Sequence, residues 1–261
     1  MTEKDAVLMV ETVNKVCRLT LNRPERRNAL SHDLSQAIRH AVLRADADPD
    51  VALITVTGAG DAFCAGADLK AASEGDQKGI PFRGPLHEAE RSICEVLINS
   101  RKPSLAIVNG PAVAGGCELA LSCDMRIAAD DTFLQLPEAR RGMGAHFASV
   151  ALPQMVPSGI AMEWLYTGRR IPVEEAARWG LINQLVPRTE LAERAEAFAA
   201  EIVASAPLSL IRLKLTFRKS QGLPLQTGLR LDTGPDPYAS EDRKEGARAF
   251  LERRAPVWTG R

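Results

Sequence analysis

Several features that mark particular protein classes are scarce or missing in this sequence. Its 261 residues include 33 Lys and Arg and 33 Asp and Glu, so the formal net charge is zero and no global attraction for nucleic acid is expected. The four histidines are scattered and none pairs with a cysteine at ligand spacing, so no metal site is predicted. The five cysteines show no Cys-x-x-Cys spacing, and we expect reduced, buried thiols in a cytoplasmic protein.

The sequence also lacks segments typical of membrane insertion. The uncharged stretch over 143–162 contains two prolines and a glutamine, which makes it a poor membrane span. The polar, charged residues 1–5 do not have the pattern of a secretion signal, so none is predicted. Hydrophobic content of 45% and charged content of 25% are ordinary for a globular protein, and the length suffices for one large domain with an appendage.

Strand-like and helix-like segments alternate along most of the chain. A hairpin is predicted over 7–21, followed by a helix that Ser31 caps and that reaches Ala45. Apolar runs typical of buried strands, separated by helical patterns, favour an α/β core with parallel strands over 51–129. These predicted strands cover 51–56, 105–109 and 125–129, with an extended segment at 133–136. The further predicted helices cover 86–99, 118–123, 159–167, 173–179, 191–205 and 208–221, and a polar loop covers 75–84.

The pattern changes after Ala204, where only helical or irregular segments follow. We place a boundary near Ala206 and predict a core domain over 1–205 and a helical region over 206–261. Between 202 and 231 there are five basic residues and no acid, which we interpret as a solvated helix face. Three aromatic residues at helical spacings are interpreted as core: Trp164, Tyr166 and Trp179.

Two glycine-containing segments stand out, each directly after a predicted buried strand. They are Phe63-Cys64-Ala65-Gly66-Ala67-Asp68 and Ala114-Gly115-Gly116-Cys117-Glu118. Small residues leave backbone N–H groups uncovered, and the first N–H groups of a helix lack internal partners. The N–H groups of Ala67 and Gly115 are therefore candidates for a pair of donors aimed at one developing negative oxygen. The alternative is that both segments are merely tight strand-to-helix connections.

Two glutamates follow these turns. Glu118 lies among apolar residues three positions after Gly115, and Glu138 follows an extended segment. Burial and mutual repulsion raise carboxyl pKa values, which suits a pair in which one group holds a proton and the other accepts one. Taken singly, each glutamate is also explained as an ordinary helix or loop residue.

With these two turns and two glutamates, the chain resembles the enoyl-CoA hydratase/isomerase, or crotonase, superfamily. The matching segments follow the family order over nearly the whole chain. They are Arg23-Pro24 with Asn28-Ala29-Leu30, Phe63–Leu69, Asn109–Ala120, Asp124–Ala128, Pro137-Glu138, Gly180–Asn183 and Glu245–Arg254.

The resemblance implies a ββα spiral core, a C-terminal helical trimerisation region and an acyl-CoA thioester substrate. It implies an enoyl-CoA hydratase in which Ala67 and Gly115 hold the thioester oxygen as an enolate, Glu118 activates water and Glu138 exchanges the proton at the α-carbon. No cofactor is expected beyond the coenzyme A of the substrate, and the expected assembly is a homotrimer or a dimer of trimers. The implied CoA-binding residues are Arg27, Ala29, Ala65, Gly66, Asp68, Leu69 and, from a neighbouring subunit, Phe250. For Asp68 the residues themselves favour a cap of the helix that begins at Leu69.

One loop departs from the family pattern. Where many hydratases have small residues after the second glutamate, this chain has Arg140-Arg141-Gly142-Met143-Gly144-Ala145-His146-Phe147. His146 is a candidate for substrate contact or for tuning Glu138. The alternative is that it packs on a helix that starts there.

Two other interpretations of function stay open. The first is different enolate chemistry on an acyl-CoA, such as double-bond isomerisation, dehalogenation or C–C cleavage. The second is a protein that binds CoA esters or RNA without turnover, with the basic run over 202–231 as its contact. Zero net charge and the lack of interleaved aromatic residues disfavour RNA.

Overall fold

The computed structural model describes residues 6–78 and 90–261. Its main element is a six-stranded sheet. The first two strands pair as an antiparallel hairpin, and each further strand pairs in parallel with its neighbour through a crossover connection. The strands, in spatial order, are β1 (Leu8–Val13), β2 (Val16–Leu21), β3 (Leu53–Gly58), β4 (Ser104–Val108), β6 (Met125–Ala129) and β9 (Gln184–Val186). This arrangement confirms the predicted hairpin and the predicted parallel strands over 51–129.

Both faces of this sheet are covered, as expected for strands that are almost continuously apolar. On one face Ile54, Ala106 and Ala128 pack into the large core cluster. On the other face Leu53, Leu105 and Ile127 pack against helix α8 (Leu191–Val203). The sheet is thus packed on both faces, and the loops that carry the site residues follow its strands.

A second sheet lies beside the first and is made of very short strands. It consists of β5 (Ala112–Val113), β7 (Phe133–Gln135) and β8 (Arg170–Pro172), with β5 and β7 parallel. Helices connect and cover the two sheets, which makes the core a ββα spiral. The other helices are α1 (His32–Ala47), α2 (Leu69–Gln77), α3 (Ile93–Asn99), α4 (Gly115–Ser122), α5 (His146–Met155), α6 (Ser158–Thr167), α7 (Val173–Arg178), α9 (Pro207–Ser220), α10 (Leu225–Gly228) and α11 (Glu241–Glu252).

Local signals account for several helix boundaries. The Ser31 hydroxyl accepts a hydrogen bond from the Leu34 N–H, which confirms the predicted cap of α1. The predicted helix over 86–99 begins only at Ile93, after a capping box between Ser92 and Glu95; positions 86–89 lie outside the described residues. The polar loop predicted over 75–84 is wrong at 75–77, which belong to α2, and positions 79–84 lie outside the described residues.

The basic residues of α9 are mostly not a solvated face, and that interpretation is wrong for Lys214. Its ammonium is buried, lies 2.8 Å from the Asp124 carboxylate and donates to the carbonyl of Lys102. Asp124 also accepts from the Ser104 N–H and hydroxyl and pairs with Arg218. The spacing within α9 could not reveal a partner that lies far away in sequence.

Asp124→Asn is expected to lower the free energy of unfolding by about 3–5 kcal/mol, because Lys214 would remain buried without a counter-charge. Urea unfolding followed by circular dichroism measures the change. Asp232→Asn is the matched control, since Asp232 pairs with Arg212 but is 97% exposed. Its midpoint should match that of the unmodified protein. Equal losses of unfolding free energy in both variants would contradict the role of Asp124 as the counter-charge of the buried Lys214.

Other expectations about composition meet mixed outcomes. All five cysteines are free and buried, as predicted. Trp164 is fully buried and Trp179 packs on the core, but the prediction for Tyr166 is wrong because this side chain is 74% exposed. Within the described part of the chain, no helix is long and apolar enough to cross a membrane, and no cluster of three or more potential ligands could hold a metal.

Candidate active site

Three extended segments run side by side and in parallel at the centre of the site. Cys64 forms a parallel bridge with Ala112, and β5 pairs with β7 through Ala112 and Leu134. The Val113 N–H donates to the Cys64 carbonyl at 2.9 Å. The carboxyl ends of parallel strands meet at one edge, and the turns that follow these segments therefore lie together. Those turns carry Ala67, Gly115 and Glu138.

The first of these turns leaves the Ala67 N–H uncommitted. Leu30 forms a parallel bridge with Ala67: its N–H donates to the Gly66 carbonyl at 2.8 Å, and its carbonyl accepts from the Asp68 N–H at 3.2 Å. In a parallel bridge of this kind, Leu30 bonds to the residues before and after Ala67, and not to Ala67 itself. The N–H and carbonyl groups of Ala67 therefore face away from Leu30. Among the described residues, no acceptor takes a hydrogen bond from the Ala67 N–H.

The second turn places the Gly115 nitrogen directly beside the first turn. Gly115 is the first residue of α4, so its N–H has no acceptor within that helix and lies at the positive end of the helix dipole. A Cβ atom built on Gly115 would lie 4.0 Å from the Ala67 nitrogen, and one built on Gly66 would lie 3.1 Å from the Gly115 nitrogen. The predicted donor pair is thus brought together, with α4 starting three residues earlier than predicted.

Ala114 holds this second turn in an unusual conformation. Its φ of 53° and ψ of −129° lie where side chains are disfavoured, at a position where glycine would be free of strain. The conformation is pinned from both sides, because the Ala114 N–H donates to the Gln135 carbonyl at 2.8 Å and its carbonyl accepts from the Glu118 N–H at 3.0 Å. Sequence reasoning missed this residue, since alanine gives no turn signal.

Ala114→Gly is expected to stabilise the protein by about 1 kcal/mol, since relief of strain outweighs the added entropy of the unfolded chain. Differential scanning calorimetry should show a rise of about 2–4 °C for a chain of this size. Ala112→Gly in β5, where the backbone is regular, is the control and should lower the melting temperature. A lower melting temperature for Ala114→Gly would show that the strain is not stored there.

Glu118 lies on α4 one turn beyond Gly115 and contacts the start of α5. Its Oε1 accepts from the Ala148 N–H at 2.9 Å, and the Phe147 N–H also contributes. Burial raises the pKa of Glu118, and these two N–H groups at the helix N-terminus act in the opposite direction. The start of α5, directly after the loop over 142–145, therefore positions Glu118 through backbone N–H groups, which the side chains of this segment do not reveal.

Glu138 begins the turn after β7 and is only 6% exposed. Burial raises its pKa to about 7, and the charge of Glu118 adds to this rise. Its Oε2 has no hydrogen-bond partner within the described residues. One carboxyl that favours its proton near neutral pH thus lies within electrostatic reach of a second one, which is the arrangement that acid–base catalysis requires.

A comparison with known protein families decides the assignment. The family model for enoyl-CoA hydratase/isomerase matches residues 11–261. The chain belongs to the enoyl-CoA hydratase/isomerase family. Its sequence is 40% identical to the carnitinyl-CoA dehydratase of Salmonella typhi over 254 residues, which is 94% of this chain and 95% of that protein.

Solved structures of family members agree with the fold. The enoyl-CoA hydratase from Mycobacterium tuberculosis H37Rv superposes with a TM-score of 0.88 at 33% identity, covering 98% of this chain and all of that one. A probable enoyl-CoA hydratase/isomerase from Mycobacterium abscessus gives 0.86 at 36% identity, covering 98% and 99%. The crotonase fold and the enzyme class, a hydro-lyase of this family, are thereby established.

The residues expected to bind CoA are partly gathered around the first turn. The Ala65 N–H donates to the Arg27 carbonyl at 3.0 Å, and Arg23 joins both sides by donating to the Ala29 carbonyl and pairing with Asp68 at 3.0 Å. The role of Arg23 was missed, and its partner across 45 residues gives no local signal. Arg27 and Leu69 are exposed beside this junction, and helix α2 begins at Leu69 as predicted.

Two further predicted site residues, His146 and Phe250, have exposed side chains. His146 is exposed as the first residue of α5, so the predicted helix start is confirmed, and its charge acts on Glu95 of α3. The Ser92 N–H and this charge lower the pKa of Glu95. Phe250 is 84% exposed on α11, outside the hydrogen-bonded turns. A role for His146 or Phe250 stays a prediction.

Proposed function

We propose that this protein reversibly adds water to a 2-enoyl-CoA thioester through an enolate held by the N–H groups of Ala67 and Gly115. The carrying observation is that one edge of three parallel segments presents Ala67, Gly115 and Glu138, while α4 adds Glu118. Two backbone donors stabilise a single negative oxygen, and the two carboxyls supply and remove protons at the two carbons of the double bond.

In this proposal the two glutamates share one proton. The ionised Glu118 takes a proton from water while the water oxygen bonds to the β-carbon, and the double-bond electrons move into the enolate. The protonated Glu138 then gives its proton to the α-carbon, which regenerates the thioester carbonyl. The pKa of about 7 for Glu138 and the N–H groups that favour ionised Glu118 support this division of roles.

The thioester itself makes the α-proton acidic, so the proposal requires no metal or redox cofactor. The loop at Arg27 and Ala29 and the segment from Ala65 to Leu69 would hold the CoA portion, with Arg27 near a phosphate. A homotrimer or a dimer of trimers is proposed as the assembly. Large exposed apolar side chains in the C-terminal region support it: Leu213, Phe217, Leu225, Leu229, Tyr238, Phe250, Leu251 and Val257.

The acyl group is the open part of the proposal. The similarity to a carnitinyl-CoA dehydratase makes a thioester with a cationic acyl end the second candidate substrate. Isomerisation of a 3-enoyl-CoA would need the same enolate but no attacking water. Binding of CoA esters or RNA without turnover would leave two buried carboxyls without a use, and RNA affinity would fall steeply with salt.

The test is a panel of acyl-CoA substrates followed by mass spectrometry. Crotonyl-CoA, a longer 2-enoyl-CoA, a 3-enoyl-CoA and carnitinyl-CoA separate hydration, isomerisation and dehydration of a cationic substrate. The proposal predicts gain of water by at least one 2-enoyl-CoA or its loss from carnitinyl-CoA, and no turnover in Glu118→Gln. Full activity of that variant, or isomerisation alone, would overturn it.

A further inference from the structure

Leu30 touches both halves of the proposed donor pair. Its backbone forms the two hydrogen bonds, to the Gly66 carbonyl and from the Asp68 N–H, that flank Ala67. These bonds fix the peptide plane on either side of Ala67 and so set the direction of its free N–H. The side chain of Leu30 is half-buried and packs against the main core cluster.

The Leu30 side chain also reaches the second donor. Its Cδ1 lies 3.3 Å from the position that a Cβ on Gly115 would occupy, and that same position is 4.0 Å from the Ala67 nitrogen. The isobutyl group is therefore an apolar wall beside the two turns that carry the proposed donors. A hydrogen bond to a developing charge is stronger when water is kept from it, because the local dielectric is lower.

We infer that Leu30 is a positioning residue of the oxyanion site, which aims the Ala67 N–H through its backbone and excludes water from the enolate oxygen through its side chain. The inference rests on the proposed function, since it concerns the same oxygen. It assigns no contact with the acyl chain. Removal of the side chain should weaken the stabilisation of the enolate more than the binding of the ground-state thioester.

Leu30→Ala is expected to lower kcat about tenfold while KM stays within about threefold, because the backbone bonds persist and only the apolar wall is lost. Exchange of the α-proton of a saturated acyl-CoA in deuterated water, followed by NMR, should slow by a similar factor. That exchange forms the enolate without any attack by water, so its rate depends on the donor pair and on the base that removes the α-proton, and not on the activation of water. Leu30→Met should restore most of both rates.

Leu185→Ala is the matched control. Leu185 on β9 is also half-buried and packs on the same core cluster, but it lies on the edge strand of the main sheet. Its deletion should cost comparable stability and leave kcat unchanged. Equal kcat values for Leu30→Ala and Leu185→Ala would overturn the inference even if the unmodified enzyme hydrates 2-enoyl-CoA. If the unmodified protein neither turns over nor exchanges, the proposed function fails first and the inference with it.

Discussion

Glu138→Gln should lower kcat by several orders of magnitude and at the same time make the fold more stable at alkaline pH. Loss of a group that transfers a proton to carbon lowers kcat by about 10²–10⁴-fold. The gain in stability has a separate cause. Glu138 is almost completely buried, and its carboxylate must give up its hydration without a hydrogen bond to Oε2 from the described residues. Glutamine has the same shape and no charge.

The sign of the pH dependence follows from the raised pKa. Glu138 has a pKa of about 7 in the folded protein, above its ordinary value of 4.5. Between these values the folded state binds more protons than the unfolded state, so the folded state loses stability as the pH rises through this window. Above pH 7 the penalty is complete and on the order of 3 kcal/mol. Below the ordinary value it vanishes.

Thermal unfolding of both proteins over a pH series measures this effect. Glu138→Gln should unfold at a higher temperature than the unmodified protein above pH 7, and the difference should disappear toward acidic pH. Glu193→Gln is the control, because Glu193 is an exposed carboxylate on α8. A difference in melting temperature that does not change with pH would show that burial of the Glu138 charge is not its source.

Gly66→Ala should strongly impair catalysis, because it forces apart the two turns that carry the proposed donors. The added Cβ would lie 2.7 Å from both the Ala114 Cβ and the Val113 carbonyl oxygen, so the two turns must move apart. The N–H groups of Ala67 and Gly115 would then no longer converge. Loss of one such donor lowers kcat by about 10²–10³-fold.

A second glycine separates this clash from backbone strain. Gly180 has a φ of 81°, close to the 83° of Gly66, but a Cβ there would meet nothing within 4 Å. Gly180→Ala should therefore cost only the left-handed strain, about 1–2 kcal/mol of stability, with kcat unchanged. Steady-state kinetics at a temperature where both variants are folded gives the comparison. Similar kcat values for the two variants would contradict the role assigned to the Gly66 turn.

Local patterns predicted the parts of the fold that depend on nearby residues. The hairpin of β1 and β2, the Ser31 cap and the buried strands β3, β4 and β6 all follow from periodicity and capping. The strands β5, β8 and β9 were missed because each has only two or three residues and exists through pairing with a distant segment. Yet β5 and its partner β7 are what bring Gly115 and Glu138 to one edge.

The residues of the site likewise divide into those with a local sequence signal and those without one. The donors and the two glutamates were predicted from small residues and apolar surroundings. The strained φ of Ala114, the N–H groups of α5 that bind Glu118 and the partner of Arg23 were not, since each depends on backbone geometry or on a long-range contact. The ion pair of Lys214 with Asp124 shows the same limit, because a helical pattern does not reveal what the helix packs against.

The shared proton of Glu118 and Glu138 is the central claim, and the pH dependence of kcat/KM tests it most directly. Only the singly protonated pair can act in hydration or in dehydration, since the two directions use the two placements of one proton. Hydration of a 2-enoyl-CoA neither releases nor takes up a net proton. The pH profiles of kcat/KM for hydration and for dehydration must therefore fall over the same pH range, which is an internal check of the data. The account predicts a tenfold fall per pH unit above pH 7, the pKa of Glu138. A rate that stays constant between about pH 7 and 9 would contradict it.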